Sequence, residues 1–187
     1  MTPRVLCTRQ SVFICKAAAG GENAAWMLIG ILSDTHGRGP IMAAAVDLLR
    51  RRGAEYLIHC GDVGGVDLLE HLVGGPAAFV LGNCDADEPA YRRHAQSLGV
   101  VFCGSMGDLE LDGRRLAVMH GDDAPLMERI LASRQHDYLL HGHTHVRHDQ
   151  HVGRTRVINP GALFRAAHKS VAILDTRADA LEFVEIR

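Results

Sequence analysis

From residue 27 onward, short apolar runs alternate with amphipathic stretches, and the periods of strand and helix can be told apart. Residues 27–32, 56–59 and 77–81 are apolar runs of strand length, while 41–51 and 66–72 place their apolar positions at helical spacing. That order predicts a βαβ beginning, followed by a weaker helix over 89–98. The texture then changes. Residues 100–103, 108–111 and 114–119 predict short strands, and Asp112-Gly113 between the last two is a strong hairpin signal. A helix over 124–133 leads into a strand at 138–141, residues 147–152 and 155–158 flank Gly153 as a second hairpin, and strands at 171–174 and 181–186 follow. So many strands for so few helices predict two sheets packed face to face, with helices outside.

Residues 1–26 do not share this rhythm. They hold one short apolar stretch, Ser11-Val12-Phe13-Ile14-Cys15, basic residues Arg4, Arg9 and Lys16, and a Gly20-Gly21 pair, which fits a secretory signal poorly. The expectation is a disordered or over-extended tail over 1–26 and one domain over 27–187, a length that can bury a single ordinary core. A formal charge of -2 leaves no strong nucleic-acid footprint. No apolar run approaches the ~20 residues of a membrane span. Five cysteines, Cys7, Cys15, Cys60, Cys84 and Cys103, form an odd set without a C-x-x-C pair, which fits a reducing compartment and a cytoplasmic location. Self-association into a homo-oligomer is left open.

The chemistry is concentrated where apolar runs end. Asp34-Thr35-His36, Gly61-Asp62, Gly82-Asn83-Cys84-Asp85, His120-Gly121-Asp122 and Gly142-His143-Thr144-His145 follow strands in that order. Taken singly, each is ordinary turn chemistry. Together they bring two carboxylates, an asparagine and four histidines to the strand ends. The pair His143 and His145 is the most telling, because side chains two apart on an extended segment face the same way. Oxygen and imidazole donors suit Mn, Fe, Zn or Mg, with geometry left to select among them.

The motif order resembles that of the calcineurin-like metallophosphoesterase superfamily. The Gly-Asn-Cys-Asp variant and the turn Asn159-Pro160-Gly161 resemble its small bacterial and archaeal phosphodiesterase branch. The resemblance implies an α/β fold, a four-layer α/β/β/α sandwich of two mixed β-sheets flanked by helices. It implies that Asp34, His36 and His145 hold one divalent ion, that Asn83, His120 and His143 hold a second, and that Asp62 bridges them. The expected ions are two Mn2+, with Ni2+, Zn2+, Fe2+ and Mg2+ as alternatives. Two such ions about 3.5–4 Å apart would clamp a phosphate and make a bridging water acidic enough to attack phosphorus. The expected substrate is a small phosphoester, a phosphodiester first of all. A phosphomonoesterase, a nucleotide hydrolase, or a protein-interaction scaffold of the same fold, like the retromer subunit, are the alternatives.

The expected catalytic set is Asp62, Asn83, Cys84, Asp85 and His120. Cys84 departs from the family, since many members carry a histidine there to protonate the leaving group, and a neutral thiol replaces imidazole poorly. Asp85 is expected to bind or orient substrate, because an exposed carboxylate is ionised at neutral pH and donates no proton. Cys60 reads as a small buried hydrophobe, and His59 and His141 as supports of the ligands rather than ligands. Arg50-Arg51-Arg52 reads as a solvated helix end, and Arg165 as a residue near the late turn with a phosphate contact as its less favoured role.

Overall fold

The computed structural model describes residues 13–16 and 27–186. Among the described residues, twelve strands form two six-stranded sheets. In the first, the order is β12-β11-β2-β3-β4-β5, where β2 (Leu28–Leu32), β3 (Tyr56–His59), β4 (Ala77–Phe79) and β5 (Val101–Phe102) run parallel. Strands β11 (Ser170–Asp175) and β12 (Ala180–Glu185) add an antiparallel edge. The second sheet has the order β1-β6-β7-β8-β10-β9, built from β1 (Phe13–Lys16), β6 (Met106–Leu111), β7 (Arg114–Met119), β8 (Tyr138–Leu140), β9 (His148–Val152) and β10 (Thr155–Asn159). Here β7, β8 and β10 are parallel, β6 pairs antiparallel to β7 and parallel to β1, and β9 pairs antiparallel to β10. Both sheets are mixed.

Four layers follow from where the apolar side chains go. Ile29, Ile31, Tyr56, Ile58 and Val80 of the first sheet meet Leu109, Leu116, Val118, Leu140 and Ile158 of the second, all buried between the sheets. The opposite face of the first sheet, with Leu32, Leu57 and Phe79, is covered by Met42, Val46 and Leu49 of α1 (Gly39–Arg51) and by Tyr91 and Ala95 of α2 (Glu88–Leu98). The outer face of the second sheet packs Ala117, Met119, Leu139 and Val157 against Ile130 of α3 (Ala124–Ser133). Residues alternate between these cores along each strand, which fixes strand register.

The helix that the spacing predicts over 66–72 is present, in 3-10 form. The segment has seven residues, follows Gly64-Gly65, and buries Leu68, Leu69 and Leu72, so one compact ridge is enough to fill the space against α1 and α2. The expected tail over 1–26 lies largely outside the described residues. Within it, Phe13–Lys16 pair in parallel with β6, Ile14 opposite Asp108. No helix among the described residues is long and apolar enough to cross a membrane.

The crossovers through α1, the 3-10 helix and α2 make β2, β3 and β4 parallel, so their carboxyl ends share one edge. In the second sheet, β7 and β8 end at the same rim. A crevice at the carboxyl ends of parallel strands is where an open α/β sheet presents its functional loops.

Candidate metal centre

Each of the five motifs is the loop that leaves one of these strands. The loops are tied together by their backbones: Asp34 N–H donates to Gly61 C=O at 3.1 Å, His36 N–H to Asp62 C=O at 2.9 Å, and Gly142 N–H to His120 C=O at 2.8 Å. Five non-glycine residues of the rim sit at positive φ, namely Asp34 (56°), His36 (48°), Asp62 (55°), His143 (68°) and His145 (59°). The left-handed region costs an L-residue about 1–2 kcal/mol, less for Asp, and it concentrates where function holds it in place. Two glycines are dictated by the same crowding. A Cβ on Gly142 would lie 2.6 Å from Asp34 Oδ2 and strike the Ser33 hydroxyl, and one on Gly82 would strike the Asp62 carboxylate.

The side chains converge in overlapping groups whose ligand atoms lie within 4.8 Å of one another: Asp34, His36 and His145; Asp34, Asp62 and His120; and His36, Asp62 and Cys84. His145 Nε2 is 3.1 Å from Asp34 Oδ1, and Asp62 Oδ2 is 3.5 Å from His36 Nε2 and 3.4 Å from His120 Nε2. Asp34 Oδ1 and His120 Nε2 are buried without a hydrogen-bond partner. Buried polar atoms are rarely left so, because an unpaired one costs about 1–3 kcal/mol. His36 Nε2 and His145 Nε2 face each other at 3.4 Å, where they share one proton or both offer lone pairs to a cation. His120 Nδ1–H donates to Cys60 C=O at 2.9 Å, which fixes the tautomer that leaves Nε2 free as a ligand. The donor set therefore fits divalent cations.

The charges agree. Burial works against ionising Asp62, but His120 and the Cys84 N–H, 2.8 Å from Oδ1, outweigh it and hold the carboxyl well below the usual carboxylate range. Burial likewise disfavours a charged His120, yet Asp62, the Cys60 carbonyl and Asp34 raise it above its ordinary value. A divalent cation bound by His120 Nε2 would compete with the proton there, since a ligating imidazole must be neutral.

The supports lie one step back. Burial pushes His59 down to about 4, so it is neutral; Gly61 N–H donates to its Nδ1 at 3.2 Å, and its Nε2–H donates to Thr35 Oγ1 at 2.8 Å. His141, also pushed down to about 4 by burial, donates Nδ1–H to Gly142 C=O at 3.1 Å. Asn159 Nδ2 donates to Gly142 C=O at 2.7 Å and to Thr144 Oγ1 at 3.0 Å, so the Asn159-Pro160-Gly161 turn anchors the His-x-His loop. Burial drives the Cys60 thiol far up, which excludes a resting thiolate there.

Not every expected residue joins the cluster. His143 is exposed and stands edge-on to His120, with ring centroids 5.1 Å apart, outside the three groups. Asn83 is exposed, its amide nitrogen 3.5 Å from Cys84 Sγ. Asp85 is corrected outright: expected to face substrate, it is 6% exposed, and its carboxylate accepts from Val63 N–H, Gly64 N–H, Gly82 N–H and the Tyr91 hydroxyl. It braces two loops. Cys84 sits with the ligand atoms of His36 and Asp62; partial desolvation, then Asp62, Asp85 and Asp34, push its thiol up, so it stays protonated at neutral pH. Two further residues of the site lie outside the motifs: Ser33, whose buried hydroxyl crowds Gly142, and Phe164, whose ring lies 5.6 Å from that of His36.

Residues 27–179 match the calcineurin-like phosphoesterase superfamily domain. The chain is 27% identical over 155 residues to a phosphodiesterase of Methanocaldococcus jannaschii, covering 80% of this chain and 93% of that protein. It is 27% identical over 153 residues to the phosphodiesterase YfcE of Escherichia coli, covering 73% of this chain and 79% of that protein. Among solved structures, one described as a novel archaeal phosphodiesterase superposes with a TM-score of 0.79 at 25% identity, over 86% of this chain and all of that one.

Proposed function

The chain belongs to the calcineurin-like phosphoesterase superfamily, and from that premise we propose that it is a cytoplasmic hydrolase of phosphodiesters using two divalent ions, manganese first among them. The observation that carries the proposal is that two buried ligand atoms without a hydrogen bond, Asp34 Oδ1 and His120 Nε2, cluster with the Asp62 carboxylate. Asp34, His36 and His145 would hold one ion, Asn83, His120 and His143 the other, and Asp62 both. The ions would neutralise phosphate oxygens and supply a water acidic enough to act as nucleophile. The chain's own residues supply placement. Asp62 is held ionised and oriented by the Cys84 N–H, His120 is held in its ligand tautomer, and the left-handed backbone aims the loop side chains inward before substrate arrives. Such preorganisation is the largest contribution in phosphoryl transfer, where little covalent work falls to the protein. A purely structural role would leave the strain at five rim residues without a function.

Leaving-group protonation is the weak step. The Cys84 thiol is a poor acid because its neighbours hold the proton on sulfur. Turnover of aryl phosphodiesters is therefore expected to fall steeply as the leaving-group pKa rises, and Cys84→His is expected to flatten that dependence. Rates across a series of substituted phenyl esters test this; a flat dependence in the parent protein, with chemistry rate-limiting, would count against it.

A screen of mono-, di- and cyclic phosphoesters with Mn2+, Ni2+, Zn2+, Fe2+ and Mg2+ tests the function as a whole. Hydrolysis of diesters ahead of monoesters, only with added metal, is expected. Preference for monoesters would replace this reading with a phosphomonoesterase, and no turnover with any metal would refute it.

A further inference from the structure

Next to His36 lies an aromatic ring flanked by two arginines that the metal chemistry does not use. The guanidinium carbon of Arg38 is 4.6 Å from the Phe164 centroid, and that of Arg165 is 5.2 Å from it. Both arginines are exposed, and neither forms an ion pair with any of the described residues. By contrast, Arg52 pairs with Glu182, Arg92 with Glu88, Arg147 with Glu185 and Arg154 with Asp137. The Phe164 face offsets part of the repulsion between the two cations, but it brings no negative charge. Arg165 is also held at a φ of 50°, a left-handed conformation that a long side chain adopts only under constraint. Helix α1 begins at Gly39, directly after Arg38, with no acidic residue in its first turn and no side-chain cap, so the field of its positive end is unopposed.

Of the two, Arg165 lines a cleft of about 400 Å³ together with Thr144, His145, Val146, Arg147, Ala167 and His168, while Arg38 is linked to it through the shared Phe164 ring. His145 belongs to both the cleft and the cluster with Asp34 and His36, so the two spaces adjoin. The cleft is chemically two-sided: Val146, 65% exposed, and Ala167 offer apolar surface, while Arg165 and His168 offer positive or hydrogen-bonding groups. A nucleotide matches both sides, with an apolar base and sugar face and a phosphate that a guanidinium can grip through two hydrogen bonds.

We propose that this cleft is a second anion subsite, which holds a further phosphate carried by a nucleotide-type substituent of the scissile diester against Arg165 and Arg38. The proposal rests on the phosphodiesterase reading and narrows it to a substrate class. The test compares p-nitrophenyl thymidine 5'-phosphate with the same ester carrying a 3'-phosphate, using the parent protein, Arg38→Ala, Arg165→Ala and Arg165→Lys. In the parent the added phosphate is expected to lower KM about tenfold, the worth of one charge-assisted bidentate contact. The advantage should vanish in both alanine variants and survive in part in Arg165→Lys. Equal KM for the two esters in the parent, or an advantage that outlasts both alanine substitutions, overturns the subsite. Absence of turnover on both esters refutes the phosphodiesterase reading instead. Titration of metal-free protein with thymidine 3',5'-bisphosphate then decides the subsite alone: several-fold weaker binding by Arg165→Ala supports it, and equal affinity overturns it.

Discussion

Asp62→Asn is expected to lower turnover of a phosphodiester by on the order of 10²–10³-fold, the scale on which removal of one charge-stabilising group acts. The residue is 3% exposed and lies where the histidine sets meet, Oδ2 within 3.5 Å of His36 Nε2 and 3.4 Å of His120 Nε2. Asparagine keeps the shape and tolerates the left-handed backbone at φ 55°. Its amide cannot keep the contacts. With the NH2 at Oδ2 it points donors at ligand nitrogens, and with the NH2 at Oδ1 it opposes the Cys84 N–H that donates there at 2.8 Å. The negative charge that offsets two cations is lost in either orientation. The fold should persist, so a circular dichroism spectrum like the parent's, with kcat reduced and metal affinity weakened, is the expected combination. Full activity in this variant would remove Asp62 from the bridging position.

The second large effect is on stability. Asp85→Ala is expected to destabilise the protein by roughly 3–5 kcal/mol, since it strands several buried donors at about 1–3 kcal/mol each, part of which water recovers. Alanine would leave Val63 N–H, Gly64 N–H and Gly82 N–H, now 3.1, 2.8 and 3.0 Å from a carboxylate oxygen, without that acceptor, along with the Tyr91 hydroxyl at 2.8 Å. By contrast the exposed pair Arg92–Glu88 on α2 is worth about 0.3–0.5 kcal/mol, so Glu88→Ala serves as a control. Since the Asp85 carboxylate joins the loop of Asp62 to the loop of Asn83, metal affinity should fall together with stability. Urea unfolding with and without Mn2+ measures both; a change in unfolding free energy below about 0.5 kcal/mol, typical of a neutral surface substitution, would show that the loops hold without this brace.

Much of this was legible in the sequence. Apolar runs at 27–32, 56–59 and 77–81 gave strands because parallel strands covered on both faces read as continuous hydrophobic stretches. A ligand-type residue after each run marked the rim, and the late Asn159-Pro160-Gly161 turn marked its far side. What failed to show were relations across the fold. Asp85 looks like any exposed turn carboxylate until the 61–64 loop is placed over it, and the two arginines meet only because Phe164 follows β10 in the second sheet while Arg38 follows β2 in the first. The 3-10 geometry of Val66–Leu72 was hidden for a local reason, since a short run with leucines three and four apart reads the same in either helix. In the sequence Cys84 stands only where a histidine acid is expected, and its proximity to His36 and Asp62 is what places it among the ligand atoms.

Everything chemical here depends on a paired-cation site, so the deciding measurement is manganese binding to the intact chain. Stripped of metal and titrated with Mn2+, the protein should take up two ions per chain and develop the exchange-coupled paramagnetic resonance spectrum of neighbouring Mn2+ ions. Saturation at a single ion per chain, with the spectrum of an isolated Mn2+, would contradict it.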